Sequence, residues 1–173
     1  RNGLKVELHK GDAVYAKDML LLQVLITNAG VRPIAWSVTT ANKLYGLGPQ
    51  LVQQGLAIVM PTVPVSGVVG ADAAGPGKTP FDLATTTRLI NETWKYGKLL
   101  DGGTDRLDAN IRAMSGTWAM PFVQAGIASV MVGDTASAIP YLEKSLQMVD
   151  QPGVAGFLAQ LKGRGGAVVV PVK

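Results

Sequence analysis

Few residues in this chain could perform acid–base, nucleophilic or metal-dependent chemistry. The 173 residues include no cysteine and one histidine, His9. The lack of cysteine excludes disulfides, thiolate metal ligands and a cysteine nucleophile, and one histidine is too few for a multi-histidine metal site. His9 is the one candidate for a histidine-dependent triad, but we expect it to be an ordinary residue of an edge strand.

Three aspartates, Asp101, Asp105 and Asp108, lie close enough in sequence to suggest cation binding. Their spacing differs from that of a calcium-binding loop, and they stand where the N-caps of helices are expected. We therefore expect these carboxylates to cap helices rather than to bind a metal.

A glycine-rich segment, GPGKT at residues 75–79, mimics the end of a phosphate-binding loop. That motif requires a glycine at position 72, where the chain has Asp72, and Pro76 removes a backbone N–H that a phosphate would need. The glycosylation sequon at residues 91–93 falls in a predicted helix, and we expect it to be a chance match. The sequence thus predicts no catalytic residue, no metal site and no cofactor, so we expect a chain that is not itself an enzyme.

The composition is that of a globular protein, because 47% of the residues are hydrophobic and 16% are charged. The net charge is +4 and the isoelectric point is about 9.4. The lysines and arginines are spread singly along the chain without a basic run, so nucleic acid is not an expected partner. Basic charge that is scattered in this way mainly favours solubility. If the excess has a binding role, an anionic lipid surface is the better interpretation, because such a surface attracts basic charge without a motif.

The elements that must position these residues change in type along the chain. In the N-terminal third, short runs of β-branched residues alternate with stretches of helical periodicity. Asp18 is the predicted N-cap of the first helix. The predicted strands are residues 4–8, 34–39 and 56–60. The predicted helices are residues 18–27 and 49–54, and the first of them is predicted to stop at residues 28–30. Residues 62–80 are predicted as a loop or linker.

Beyond residue 81 the pattern is helical, with acidic residues at the predicted N-termini. The final apolar run, residues 168–172, is predicted to be an edge strand or an exposed tail. Helices are predicted from Asp82 to about residue 96, from Asp105 or Asp108 to about residue 132, at residues 135–149 and, weakened by Gly153 and Gly156, at residues 154–161.

One segment of the helical part, residues 125–152, resembles a single tetratricopeptide repeat, a helix-turn-helix unit of about 34 residues. Gly126 and Ala128 stand where the first helix needs small residues for close approach. Gly133 begins the turn, and Ser145 takes the usual alanine position of the second helix. Because such repeats need about three copies for stability, we expect this pair to pack on the α/β part or on a partner.

Pro140 departs from the repeat pattern. A proline lacks the backbone N–H that a helix interior requires, but the first turn of a helix leaves that N–H unpaired in any case. We therefore expect Pro140 to lie in the first turn of its helix.

The residues ahead of this pair form a second pattern: an apolar helix, a short turn, the strand RPIAW, a helical insert and a strand that ends in proline. The positions that carry it are Asp18, Leu21, Asn28, Arg32, Pro33, Ile34, Leu47, Gly55, Leu56 and Pro61. This pattern resembles the extracytoplasmic C-terminal region of a bacterial family of multi-pass membrane proteins of unknown function, related to protein O-mannosyltransferase-like glycosyltransferases.

The resemblance implies a periplasmic or otherwise extracytoplasmic, membrane-associated location. It also implies that the membrane-embedded half, which would hold the acidic residues for glycosyl transfer, is absent from this chain, so no catalytic role carries over to a residue here. Because the chain begins at Arg1 without methionine, we expect a mature product or a piece of a larger protein.

Together these patterns predict an α+β fold, a small mixed α/β layer followed by a helical, tetratricopeptide-like tail. The predicted parts are the α/β layer at residues 1–61, the linker at 62–80, the helical region at 81–162 and a tail at 163–173.

Three functions fit these features. The chain is a non-catalytic interaction or scaffold domain, or the acceptor-orienting module of a membrane glycosyltransferase, or an accessory subunit that stabilises a membrane complex such as a respiratory or photosynthetic assembly. The expected partner is a membrane protein complex or the chain's own membrane half.

A single helical pair should leave an apolar patch with a polar rim, and such patches mark protein contacts. We predict this patch on the helical region. The predicted interface residues are Trp118, Phe122 and Met131 on the first repeat helix, and Tyr141 and Lys144 on the second.

Overall fold

A computed structural model describes residues 15–43, 46–70, 79–100 and 108–163. Within these ranges a small mixed sheet packs against helices, and the chain then continues as a helical part. The predicted α+β fold class is therefore confirmed. The predicted strand at residues 4–8, His9 and the run at 168–172 lie outside the described residues.

The first helix, α1, spans Ala16–Asn28. The prediction that Asp18 is its N-cap is wrong, because Asp18 is the third residue of the helix and its carboxylate accepts a hydrogen bond from the Tyr15 backbone N–H at 2.8 Å. An acidic residue at the third position of a helix also accepts a hydrogen bond from the backbone at the helix N-terminus. The helix therefore begins earlier than predicted, with Tyr15 as its N-cap. The predicted stop is confirmed, since Gly30 has a φ of +75° in the turn that follows.

The described residues form one mixed sheet whose strand order is β1-β3-β2-β5-β4. Neighbouring strands are antiparallel except for β2 and β5, which are parallel. Gly55 and Leu56 form the turn between β2 and β3, whose ends pair at Gln54 and Ala57. The strands are β1 Ile34–Ser37, β2 Val52–Gln54, β3 Ala57–Met60, β4 Val68–Val69 and β5 Phe81–Asp82.

Two of the sequence predictions for this region are wrong. The predicted helix at residues 49–54 is a short 3-10 turn, Gly48–Gln50, followed by strand β2. The segment predicted as a linker, residues 62–80, contains strand β4, so the sheet extends past residue 61. In both cases pairing with distant strands, which a local pattern does not report, determines the structure.

The helical part begins at Asp82, whose carboxylate accepts a hydrogen bond from the Thr85 backbone N–H at 2.8 Å, as predicted for an N-cap. Asp108 caps the long helix in the same way, through the backbone N–H groups of Asn110 and Ile111. The helices are α2 Leu83–Arg88, α3 Ala109–Met131, α4 Thr135–Met148 and α5 Pro152–Gly163, and a π-helical turn, Leu89–Thr93, continues α2. Asp101 and Asp105 lie outside the described residues.

Pro140 lies at the sixth position of α4, so the prediction that it lies in the first turn is wrong. Its ring removes the hydrogen bond to the carbonyl of Ala136. Both residues are exposed, so water can satisfy that carbonyl.

Helix α3 is the central element of the molecule, because it contributes to each of the hydrophobic clusters. Met120 packs against the cluster between α1 and the sheet, and Ala128 packs against β4 and β5. Phe122 lies in the cluster with the segment after α2, and Val130 in the cluster with α4 and α5. Helix α3 therefore contributes to the packing of both the sheet and the helical part.

Candidate protein-binding face

One side of α3 carries residues at spacings of three or four, which place their side chains along one helical face. In the C-terminal half of the helix, Phe122, Ala125 and Ser129 of this series are buried in the core. In the N-terminal half, the series continues with apolar side chains that are exposed to solvent. These are Ile111, Met114 and Trp118, with exposed fractions of 47%, 63% and 37%, and together they are called the α3 face.

The α3 face is uncovered because α4 is shorter than α3. The two helices have 14 and 23 residues, which correspond to lengths of about 21 and 35 Å. They are connected by the turn at Gly133, and they approach closely at Gly126, where an added Cβ would lie 2.7 Å from the Leu142 side chain. Helix α4 therefore covers the C-terminal part of α3 and leaves the first turns of α3 beyond its end.

A series of aromatic contacts connects the α3 face to the core. The Trp118 ring meets the Trp94 ring edge to face, with centroids 5.8 Å apart, and Trp94 meets Tyr96 in the same way at 6.3 Å. Tyr96 in turn packs against the buried Phe122 at 5.0 Å. These contacts fix the orientation of Trp118, which makes it a preorganised apolar anchor of the kind that dominates protein interfaces.

The Tyr96 hydroxyl is the one titratable group in this aromatic series. It is buried and has no hydrogen-bond partner among the described residues. Burial raises the pKa of the Tyr96 phenol above its usual value, because the charged phenolate would lose its hydration. Tyr96 therefore stays neutral and contributes packing to the site rather than proton transfer.

The structure does not bring the predicted interface residues into one patch. Trp118 is exposed, but Phe122 is fully buried, so the prediction of Phe122 as an interface residue is wrong. The two residues lie one turn apart on the same side of α3, and the core begins between them. Met131 is exposed at the opposite end of the helix, about 20 Å from Trp118.

The predicted residues of α4 lie elsewhere. Tyr141 is half-buried in the cluster that contains Phe122, and its hydroxyl accepts a hydrogen bond from the Asn91 side-chain amide at 3.0 Å. Lys144 is also half-buried. The sequence analysis missed Ile111 and Met114, although their spacing from Trp118 was a signal that could have identified them.

An apolar groove lies between α3 and α5. Val123 and Ile127 form one wall, Val154 and Phe157 form the other, and Leu142 of α4 contributes to the lining. The groove has a volume of about 530 Å³. Its lining is mainly apolar, and Asp150 and Gln151 contribute the polar side chains at its edge.

Two sets of hydrogen bonds from buried polar side chains lie where the sheet meets the helices. The side-chain amides of Gln53 on β2 and Gln124 on α3 exchange hydrogen bonds at 2.6 and 3.3 Å. The Asp82 carboxylate accepts from Thr85 and from the Gln54 side-chain amide at 2.9 Å. These hydrogen bonds connect the sheet to the helices, so we assign these side chains a structural role. In the parts of the chain that the structure describes, no three histidine, aspartate or glutamate side chains cluster as metal ligands would.

Comparison of the chain with protein families, curated proteins and solved structures finds no match. The two resemblances drawn from the sequence therefore remain predictions. Within the described ranges, none of the helices combines the length and the hydropathy needed to cross a membrane.

Proposed function

We propose that this chain is a non-catalytic protein-interaction domain that uses the α3 face to bind a helix of a partner protein. One observation carries the proposal. The apolar side of α3 that the domain buries at Phe122 and Ala125 continues, without a break in its spacing, into exposed Ile111, Met114 and Trp118. A helix that buries only half of such a side has a second half available for another chain.

The chemistry of the α3 face defines the partner that would fit it. Apolar residues at a spacing of three and four accept the side chains of a second helix in the spaces between them. The three side chains carry no charge, so the matching surface is an apolar helical stripe rather than an acidic or basic segment. The Trp118 ring packs edge to face on Trp94, and we expect it to contribute most to the contact.

The resemblance to the extracytoplasmic region of a membrane protein family extends this proposal. On that basis the domain is extracytoplasmic and acts as an accessory or stabilising subunit of a membrane protein complex, such as a respiratory or photosynthetic assembly. The alternative, an acceptor-orienting module of a glycosyltransferase, would use the same face with the chain's own membrane half as the partner.

A binding experiment with Met114→Glu tests the proposal. The complex that copurifies with the wild-type chain from native membranes is isolated, and its affinity for purified variants is measured. A carboxylate in the middle of an apolar contact should weaken binding at least about tenfold. Met114 is exposed, so the urea unfolding midpoint should stay unchanged.

The matched control is Val63→Glu, which places the same charge at another exposed apolar residue and should bind as the wild type does. Equal affinities of Met114→Glu and the wild type would contradict the proposal. Identification of the isolated partner as the chain's own membrane half would favour the glycosyltransferase alternative.

A further inference from the structure

Helix α1 has a larger uncovered apolar surface than α3. Its inner side, with Leu25 fully buried, packs on the sheet. Its outer side should be polar in a helix that faces water, but it is occupied mainly by apolar residues. The exposed apolar residues on the helix are Met19, Leu20, Val24 and Ile26, and Tyr15 and Val31 flank its two ends.

The outer surface of α1 also has few polar groups. The two charged residues of the helix are Lys17 and Asp18. Asp18 is buried, and Lys17 lies over the Tyr15 ring at the N-terminal end, 5.3 Å from its centroid. In the middle of the surface, the Thr27 hydroxyl donates to the Gln23 carbonyl at 2.8 Å and accepts from the Gln23 side-chain amide at 3.2 Å. The Thr27 hydroxyl is thus satisfied within the helix, which lowers the cost of covering it.

Area and charge together favour a protein partner for this surface. The six exposed residues have exposed fractions of 47–74%, so their combined surface is on the order of 700 Å², which approaches the roughly 800 Å² that each partner contributes to a standard interface. A helix that lies on a membrane surface usually has lysine and arginine along its polar side, and α1 has Lys17 alone.

We propose that the occupant of the outer surface of α1 is a second copy of this chain, in a two-fold symmetric, antiparallel α1–α1 contact. In a two-fold contact, a residue i that meets residue j of the partner is matched by residue j of the same chain meeting residue i of the partner. The surface must therefore be complementary to itself. An uncharged surface meets this requirement without repulsion between like charges. With the axis near Gln23, Met19 of one copy lies opposite Ile26 of the partner subunit, and the two helix dipoles are opposed.

This inference goes beyond the proposed function because it uses a different helix. The first test is sedimentation of the full chain at ~100 µM, a concentration at which even micromolar dimers are populated. The wild type should sediment as a dimer and Leu20→Glu as a folded monomer. The variant Met114→Glu should remain dimeric, which separates a failure of this inference from a failure of the proposed function.

The absence of cysteine from the chain allows a second test that does not depend on stability. The single-cysteine variant Gln23→Cys, treated with a short bismaleimide, should form a covalent dimer, because the two copies of residue 23 meet at the axis. Val63→Cys, which is exposed elsewhere, is the matched control and should stay monomeric on a denaturing gel. A monomeric wild type, cross-linking of Gln23→Cys no stronger than that of the control, or binding of a monomer to phosphatidylglycerol vesicles through α1 would overturn the inference.

Discussion

At the scale of single residues, Trp94 connects the α3 face to the sheet. On one side its ring supports Trp118, with centroids 5.8 Å apart. On the other side the ring lies against the turn at Gly55, where an added Cβ would be 2.5 Å from the ring. Gly55 also has a φ of +59°, which side chains other than glycine rarely adopt. The position of Trp118 thus depends on a glycine in the turn between β2 and β3.

We therefore predict that Gly55→Ala both destabilises the protein and displaces Trp94. The positive φ and the contact with the ring should together lower the free energy of unfolding by about 1–3 kcal/mol. Urea titration followed by tryptophan fluorescence measures both effects, since the emission of the Trp94–Trp118 pair should change in the folded state. The matched control is Gly156→Ala in α5, where nothing lies within 4 Å of the added Cβ.

Gly156 lies inside an exposed helix, so its replacement by alanine should stabilise the protein by roughly 0.5–1 kcal/mol. The two glycines are thus expected to respond in opposite directions to the same substitution. If Gly55→Ala matched or exceeded the stability of the wild type, the role assigned to this turn would be wrong.

Trp118 and Phe122 were both predicted as interface residues from the sequence, but only Trp118 is exposed. Both residues belong to one apolar side of α3, and a helical pattern reports which side is apolar but not how far it is covered. The boundary between them depends on where α4 ends and where Tyr96 packs against Phe122. Both depend on contacts with segments that are distant in sequence, and the spacing of residues along α3 gives no information about such contacts.

At the scale of elements, the helix starts were the most predictable features. Asp82 was predicted as an N-cap and Asp108 as one of two candidates, because a cap bonds to N–H groups two or three residues away, which is local information. Strand β2 could not be predicted, since Val52, Gln53 and Gln54 show no alternation of polar and apolar residues. These residues become a strand because β3 and β5 pair with them from both sides.

Asp134, the N-cap of α4, provides a prediction about pH. Its pKa is lowered from 3.8 because the carboxylate accepts hydrogen bonds from the Ser137 side chain and backbone N–H. A carboxylate whose pKa falls on folding stabilises the native state above its unfolded pKa, and that contribution is lost as the pH falls through its folded value. Asp134→Ala should therefore have a lower Tm than the wild type at pH 7, and the difference should shrink as the pH is lowered below about 4.

The control for this prediction is Asp134→Asn, because asparagine caps helices well and does not ionise. Its Tm relative to Asp134→Ala should be nearly independent of pH. A difference between the wild type and Asp134→Ala that stays constant from pH 7 to pH 2 would show that the ionised carboxylate stabilises α4 no more than the neutral side chain does.

At the scale of the whole molecule, the sheet depends on the helices that cover it. Its strands have two to four residues each, and strands this short do not form a stable sheet by themselves. Helix α3 holds them through the Gln53–Gln124 pair, through Met120 beside α1, and through Ala128 beside β4 and β5. This long helix extends past α4, and its extension exposes the α3 face.

Among the residues that the structure describes, the outer surface of α1 and the α3 face are the apolar helical surfaces on which the two proposals rest. Exposed apolar patches of this kind often mark protein contacts, which is the basis of both proposals. The overall fold class was predictable because it depends on the periodicity of long segments. The positions of these two surfaces were not, because exposure is a property of the packed molecule.

The most direct test of the proposed function is a photo-crosslinking scan along the first turns of α3 in native membranes. A photoreactive amino acid is placed at single positions from 110 to 118, and adducts with a partner protein are quantified. If a partner helix lies on the α3 face, adducts should be strongest at positions 111, 114 and 118 and weakest at 112 and 116, which lie on other sides of the helix. Adducts of equal yield at all positions, or none above the level of a probe at position 63, would contradict the account.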